Sequence, residues 1–197
     1  MVKEKANSSL RAKILKTAEE LILSKGFVAT SIDEICRKLK ITKGGFFHYF
    51  KSKEALGAVL LEACCEQIHV ATPKNDQEDP FQKILDRIDE SIKGLEAQGK
   101  PGCLMGYLTQ ELFDTHPAIR KRCCEGFSQW TESIAKDLAA AKKMYAPKAK
   151  FEPRALAEYW ISILEGSQIL AKAKQDKTVV KENLTHLKNY FRMLFKQ

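Results

Sequence analysis

The 197-residue sequence lacks any long hydrophobic run, since no apolar stretch approaches the roughly 18 to 20 residues that a membrane-spanning helix needs. The N-terminal residues also lack the continuous apolar segment of a secretion signal. Low-complexity tracts are absent, and 44% of the residues are hydrophobic, which excludes collagen-like and disordered chains. We therefore expect a globular, cytoplasmic protein that does not contact a membrane.

Motifs for common catalytic or metal chemistry are missing as well. The chain has no Gly-rich phosphate loop, no Gly-x-Ser-x-Gly and no His-Glu-x-x-His, and its four histidines are scattered. The six cysteines include two adjacent pairs but no Cys-x2-Cys spacing, so a structural zinc site is not expected. Free thiols are the expectation in a reducing compartment. We predict that the protein is not an enzyme and holds no metal and no cofactor.

Positive charge, in contrast, is plentiful and unevenly placed. The chain carries a formal net charge of +8. Its first 53 residues contain 12 basic and five acidic residues, a net +7, while the remaining 144 contain 21 and 20, a net +1. A generally basic protein would spread this excess, whereas a polyanion-binding segment would concentrate it. The distribution indicates a nucleic-acid-binding head at the N-terminus.

Helix signals fill the rest of the sequence. Ser31-x-x-Glu34 is a capping box, Thr42 is a candidate N-cap, and three prolines stand at expected first helical positions, in Asp79-Pro80, His116-Pro117 and Glu152-Pro153. No segment has a convincing strand pattern. We predict an all-α fold of nine helices in two parts: a three-helix DNA-binding domain over residues 1–53, and an effector-binding and dimerisation domain over 54–197. Helix four, 53–70, is the expected connector.

Helix two, a four-residue turn and a short third helix form a helix-turn-helix, in which the third helix enters the major groove of DNA. Phe46 and Phe50 lie at one-face spacing in that helix and are expected in the core. The first 60 residues or so resemble the tetracycline-repressor (TetR) family. The resemblance is carried by ATSIDEI at 29–35, LKITKG at 39–44 and HYFKSKEAL at 48–56.

The resemblance implies a role for each residue of the third helix. Base-edge or groove contacts fall on Lys43, Gly44 and Gly45, and phosphate contacts on Thr42, Phe47, His48, Tyr49 and Lys53. Phe47 departs from the tyrosine common in the family and lacks a hydroxyl for phosphate. Two adjacent glycines leave groove-facing positions without side chains, so sequence preference would depend on Lys43, helix two and DNA shape. The implied partner is double-stranded DNA with a pseudo-palindromic operator.

The resemblance also implies a homodimer formed by the last two helices. The apolar stripes of these helices supply the candidate interface residues, which are Trp160, Ile163, Leu187, Phe191 and Leu194. The same stripes can close the core of a single chain, and both uses are compatible with the pattern.

An effector pocket is the third implication of the family. The candidate lining residues are Cys64, His69, Cys103, Tyr107, Phe113, Cys123, Phe127, Trp130 and Tyr159. Each of them can equally be an ordinary core residue. Aromatic residues with few charges indicate a hydrophobic or planar small molecule.

Cys103 supports a second kind of effector response. It follows Pro101-Gly102 and is expected in the first turn of helix six, where free N–H groups and the helix dipole favour a thiolate. The segment 102–112 resembles a branch of the family in which some members respond to electrophiles or oxidants. Two repressor mechanisms therefore stay open, a reversible ligand and a reactive Cys103. A helical protein-interaction adaptor is the alternative of another class, and it would bind no operator at any salt concentration.

Overall fold

The computed structural model describes residues 2–70, 79–97 and 102–195. This part of the chain contains nine helices and no strand, which confirms the predicted all-α fold. The helices are α1 Val2–Lys25, α2 Ile32–Leu39, α3 Lys43–Phe47, α4 Lys53–Val70, α5 Pro80–Ala97, α6 Leu104–Leu112, α7 Pro117–Tyr145, α8 Pro153–Lys174 and α9 Thr178–Leu194. No described helix is both long and apolar enough to span a membrane. The sequence predicts a polar loop over 72–79 and a turn at Lys100-Pro101-Gly102; of these, residues 72–78, Lys100 and Pro101 lie outside the described residues.

The predicted caps explain where several helices begin. Ser31 Oγ accepts a hydrogen bond from the Glu34 N–H at 3.2 Å, and Thr42 Oγ1 accepts one from the Gly45 N–H at 3.1 Å. The capping box at Ser31 is only half formed, because the Glu34 carboxylate pairs with Lys25 of α1. That hydrogen bond lowers the pKa of Glu34. The cap of α2 thus also ties α2 to the end of α1.

Two helix ends differ from the sequence-based expectation. Helix α3 ends at Phe47, whereas the sequence suggested an end near Phe50, and Gly44-Gly45 gives this helix little intrinsic stability. Helix α6 begins at Leu104, so Cys103 immediately precedes the helix.

The chain divides into two compact units, and each has its own apolar interior. The first unit contains residues up to Cys65 together with Leu104–Cys123. Its fully buried side chains include Ile14, Phe27, Ile35, Phe46 and Leu56 of α1, the α1–α2 turn and α2–α4, and others come from α6. This interior holds the helix-turn-helix in place. The predicted functional boundary at residue 53 stays a prediction.

The second unit contains Glu66–Cys103 and Cys124–Gln197. Its core joins α5, α7, α8 and α9 through residues such as Ile84, Leu138 and Trp160. Arg87, only 8% exposed, places its Nε 2.9 Å from Asp137 Oδ2 and donates from a terminal nitrogen to Ser133 Oγ at 2.9 Å. This buried ion pair fixes the contact of α5 with α7.

Candidate nucleic-acid interface and effector region

The start of α3, capped by Thr42, presents a cation to solvent. Thr42, Lys43 and Gly44 are exposed, and the side chain of Lys43 is 64% accessible. Lys43 Nζ lies 2.8 Å from Asp33 Oδ1 of α2, and that hydrogen bond raises the pKa of Lys43. Both partners are largely exposed, so the ion pair contributes little stability and a phosphate or base edge can replace Asp33.

The aromatic residues of the third helix and the turn after it divide between inside and outside. Phe46 is fully buried and Phe50 is 3% exposed, which confirms their predicted place in the core. Phe47 is 48% exposed, His48 is exposed, and the His48 ring packs edge-on against Tyr49 with centroids 4.9 Å apart. The helix is therefore anchored by one aromatic pair and presents the others outward.

Lys53 does not face outward as a phosphate contact would require. Its Nζ donates to the backbone carbonyl oxygens of Phe27, Thr30 and Val28 at 3.0, 3.1 and 3.3 Å. The ammonium also lies 4.6 Å from the centroid of the Phe27 ring. All three N–H donors are occupied by the α1–α2 turn, so the predicted phosphate contact is corrected: Lys53 is a clamp on residues 27–30.

A second clamp on the same turn comes from α6. The Val28 N–H donates to Glu111 Oε2 at 3.0 Å. Gly26 has a φ of +92°, and a Cβ built there would lie 1.8 Å from Glu111 Oε1. The turn accordingly needs glycine both for its conformation and for the close approach of Glu111. Sequence reasoning missed Glu111, because its partner Val28 lies 83 residues away in the chain.

The effector candidates fall into both units. Cys64, Tyr107, Phe113 and Cys123 belong to the first unit, and Cys103, Phe127, Trp130 and Tyr159 to the second, while the side chain of His69 lies outside the described residues. Phe113 and Tyr159 are 50% and 48% exposed, so neither lines an interior cavity of its own unit. Phe127 and Trp130 are half-buried and stack with centroids 6.4 Å apart and an interplanar angle of 15°. This pair forms a flat aromatic surface on α7.

Cys103 has an acidic partner that the sequence did not reveal. A side-chain hydrogen bond joins Cys103 to Glu165 of α8. Burial raises the pKa of Glu165, and the bond to Cys103 partly opposes that rise. Among the described residues, Glu165 Oε1 and Gln168 Oε1 are buried without a hydrogen-bond partner. Nothing in the sequence around these two residues distinguishes them from ordinary surface residues of a helix.

Three of the five predicted dimer residues are buried within the chain itself. Trp160, Leu187 and Phe191 are 2%, 3% and 0% exposed, and Trp160 and Phe191 pack edge-on at 5.7 Å. These stripes close the α8–α9 core, which corrects their assignment to the dimer surface. Ile163 and Leu194 are partly buried. The exposed large apolar residues of these two helices are Tyr159, Ile169, Leu170, Tyr190 and Met193.

An exposed recognition helix on a clamped helix-turn-helix defines a DNA-binding protein of the helix-turn-helix class. The comparisons with known proteins identify the family. Residues 14–59 match the model "Bacterial regulatory proteins, tetR family", and residues 80–184 match "Transcriptional regulator LmrA/YxaF-like, C-terminal domain". The chain belongs to the TetR family of bacterial transcriptional regulators.

Individual relatives match over nearly their whole length. The uncharacterized HTH-type transcriptional regulator in the lacX 3' region of Lactococcus lactis is 31% identical, with 92% of each chain covered. The HTH-type transcriptional repressor NemR of Escherichia coli K12 is 25% identical, over 91% of this chain and 92% of NemR, and the crystal structure of reduced NemR gives a TM-score of 0.70 over 91% and 95%. The regulatory protein TetR of Rhodobacter sphaeroides, 23% identical, has the same fold, with a TM-score of 0.79 over 93% and 97%.

Proposed function

We propose that the protein is a dimeric transcriptional repressor that leaves its operator when a small molecule binds the second unit. The observation that carries this proposal is the exposed start of α3, where Thr42, Lys43 and Gly44 are all open to solvent. Similarity to a relative named as a repressor supports the sign of regulation. A protein that acts on bacterial operators works in the cytoplasm.

The proposed DNA contacts are those of the third helix and the turn after it, without Lys53. Thr42, Phe47, His48 and Tyr49 contact phosphates, and Lys43 reaches a base edge. A Cβ at Gly44 or Gly45 would meet only Thr42 Oγ1 and the Ile41 Cβ, no closer than 3.6 Å. The DNA side of both glycines is open, so the backbone itself can approach the groove closely.

Selection of bound sequences from a random DNA pool tests this proposal directly. We expect a pseudo-palindromic consensus and an affinity that falls steeply as salt increases. Lys43→Met should weaken binding, whereas the exposed Lys136→Met of α7 serves as the matched control and should not. Failure to recover any DNA at low or high salt would contradict the repressor proposal and favour the adaptor alternative.

The homodimer is proposed to use the exposed faces of α8 and α9. The rings of Tyr159 and Tyr190 pack edge-on with their centroids 6.0 Å apart. Met193 is 71% exposed on the same helix as Tyr190. Exposed apolar residues concentrated on one helix pair are typical of a self-association surface. A second copy of the chain is the occupant that a two-fold operator requires.

Sedimentation velocity of paired variants tests the dimer. Met193→Asp places a charge in the proposed interface and should shift the protein toward monomer. Met144→Asp is the matched control, because Met144 is 61% exposed on α7, outside the proposed interface. Equal dimer fractions in the two variants would contradict the α8–α9 interface.

Two effector responses are each supported by a separate observation. The stacked Phe127 and Trp130 rings support a planar, reversibly bound ligand. The bond between Cys103 and Glu165 supports covalent sensing instead. In the second case Cys103 should react with an alkylating probe faster than the other five thiols, and Cys103→Ser should stay on DNA when the probe is added. The role of α4 as the connector that transmits either signal stays a proposal.

A further inference from the structure

Asp33 is an acidic residue on the surface that DNA is expected to cover. The helix-turn-helix, residues 31–47, contains two acidic residues, Asp33 and Glu34, and the Glu34 carboxylate is turned toward Lys25 of α1. The side chain of Asp33 is 65% accessible, and its Oδ1 lies 2.8 Å from Lys43 Nζ at the start of α3. A carboxylate in this place repels phosphates. It can favour binding only where it meets a hydrogen-bond donor, and the base edges supply such donors.

The Asp33–Lys43 pair places a hydrogen-bond donor and an acceptor side by side. An ammonium has three N–H donors, so Lys43 can donate to DNA while it is paired with Asp33. A carboxylate has lone pairs on both oxygens, so Asp33 can accept a bond from DNA at the same time. Gly44 and Gly45 follow, and the atoms nearest to a Cβ at either position lie in the preceding turn. The first turn of α3 therefore has no further side chain that would keep a base edge away from the pair.

A G·C base pair presents the complementary arrangement in the major groove. Guanine offers two acceptors, N7 and O6, and cytosine offers the N4 amino donor. Because O6 and N4 are hydrogen bonded to each other, they lie about 2.9 Å apart, which matches the 2.8 Å between Lys43 Nζ and Asp33 Oδ1. An A·T pair fits less well. The donor that would meet Asp33 is flanked by adenine N7, an acceptor, and the oxygen that would meet Lys43 is flanked by the thymine methyl group.

We propose that Asp33 is a specificity-determining residue that recognises the cytosine of one G·C pair in each operator half-site. The Asp33 carboxylate accepts a hydrogen bond from cytosine N4, and Lys43 donates to N7 and O6 of the paired guanine. Asp33 also disfavours sequences that place an acceptor in front of its carboxylate. The inference deepens the proposed function, because it rests on the base contact proposed there for Lys43.

Two modified bases test the two contacts separately, with the full chain and its consensus operator selected from random DNA. N4-methylcytosine keeps the base pair but replaces the amino hydrogen that faces the groove, whereas 7-deazaguanine removes N7. Each G·C pair is modified in turn, in both half-sites, and affinity is measured by fluorescence anisotropy. At one symmetric position, each modification should weaken wild-type binding by about 10-fold. Asp33→Ala should lose the response to N4-methylcytosine and keep the response to 7-deazaguanine.

Two further variants complete the series. An asparagine amide pairs with N6 and N7 of adenine, so Asp33→Asn should shift the preferred base pair at the same position from G·C toward A·T. Glu20→Ala is the matched control, because it removes one acidic side chain from an exposed position of α1. It should leave both responses to the modified bases at their wild-type values.

The outcomes distinguish this inference from the proposal on which it rests. If no consensus is selected, the repressor proposal fails; if 7-deazaguanine has no effect at any position, the Lys43 contact fails; in both cases this inference fails too. If 7-deazaguanine weakens binding but N4-methylcytosine does not, or Asp33→Ala keeps the wild-type response to N4-methylcytosine, the role of Asp33 is refuted while Lys43 stands. If Asp33→Ala does not fold, as judged by circular dichroism, the base preference of Asp33→Asn decides. An unchanged preference for G·C overturns the proposal, and a shift toward A·T supports it.

Discussion

Replacement of Lys53 by methionine removes one ammonium group from the α1–α2 turn and keeps most of the aliphatic side chain. In the native protein that group donates to three carbonyl oxygens and lies above the Phe27 ring. The carbonyls of Phe27 and Thr30 are part-buried, whereas that of Val28 is exposed and can bind water instead. The loss of these two hydrogen bonds therefore accounts for most of the expected loss in stability.

The expected loss in the free energy of unfolding is about 2 to 3 kcal/mol. Each of the two part-buried bonds contributes about 1 kcal/mol net, and the cation–π contact adds about 0.5 to 1 kcal/mol. Urea denaturation followed by far-UV circular dichroism measures this loss. Lys51→Met is the control, since Lys51 is exposed two residues away and should change stability by less than about 0.5 kcal/mol.

Salt dependence of operator binding separates the clamp from a phosphate contact. Each phosphate contact contributes about 0.9 to the slope of log affinity against log salt, so a contact made by both heads of a dimer contributes about 1.8. Lys53→Met should weaken binding without changing that slope, because its ammonium never meets DNA. Lys43→Met should reduce the slope if Lys43 also neutralises phosphate. An equal reduction in slope for Lys53→Met, together with unchanged stability, would refute the clamp.

Three further predictions concern stability. Gly57→Ala should destabilise the protein by about 1 to 3 kcal/mol, because the new Cβ would lie 2.8 Å from Phe27 Cε2. Gly94→Ala should stabilise it by about 0.5 to 1 kcal/mol, because nothing lies within 4 Å of a Cβ at that helical position. Thermal unfolding measures both changes. Burial raises the pKa of Glu165, so the wild-type protein loses stability as pH rises through that pKa. The stability of Glu165→Gln relative to wild type should therefore increase from pH 4 to pH 8. A stability difference that does not change with pH would contradict the raised pKa. Gln168→Leu should be neutral or stabilising in urea titration, because it removes an unpaired buried oxygen, and a loss above about 2 kcal/mol would show that the amide is satisfied.

The helix positions could be predicted from sequence because their signals are local. Thr42 caps α3 through the N–H only three residues later, and Asp79 caps α5 through the N–H groups of Phe81 and Gln82 at 2.9 and 2.8 Å. The inward turn of Phe46 and Phe50 follows from helical spacing in the same way. Such contacts depend on a few neighbouring residues, so the chain order already contains them.

Apolar stripes predict burial but not the partner. The stripe on α8 correctly indicated that Trp160 is buried. The spacing of its apolar residues does not show whether the helix that covers them belongs to the same chain or to a second copy. The distinction depends on how many faces of a helix the rest of the chain covers. In α8 and α9 the apolar stripes are buried in the core of the chain itself, and the exposed residues Tyr159, Tyr190 and Met193 lie outside these stripes.

The difference between sequence and structure matters most for charged groups, because a single distant partner can reverse their role. The family resemblance assigned Lys53 to phosphate, but carbonyls more than 20 residues earlier bind its ammonium. Cys103 changes in the same way. Its expected place in the first turn of helix six suggested a thiolate stabilised by the helix dipole, whereas the structure places it just before α6 and joins its side chain to the Glu165 carboxyl on α8.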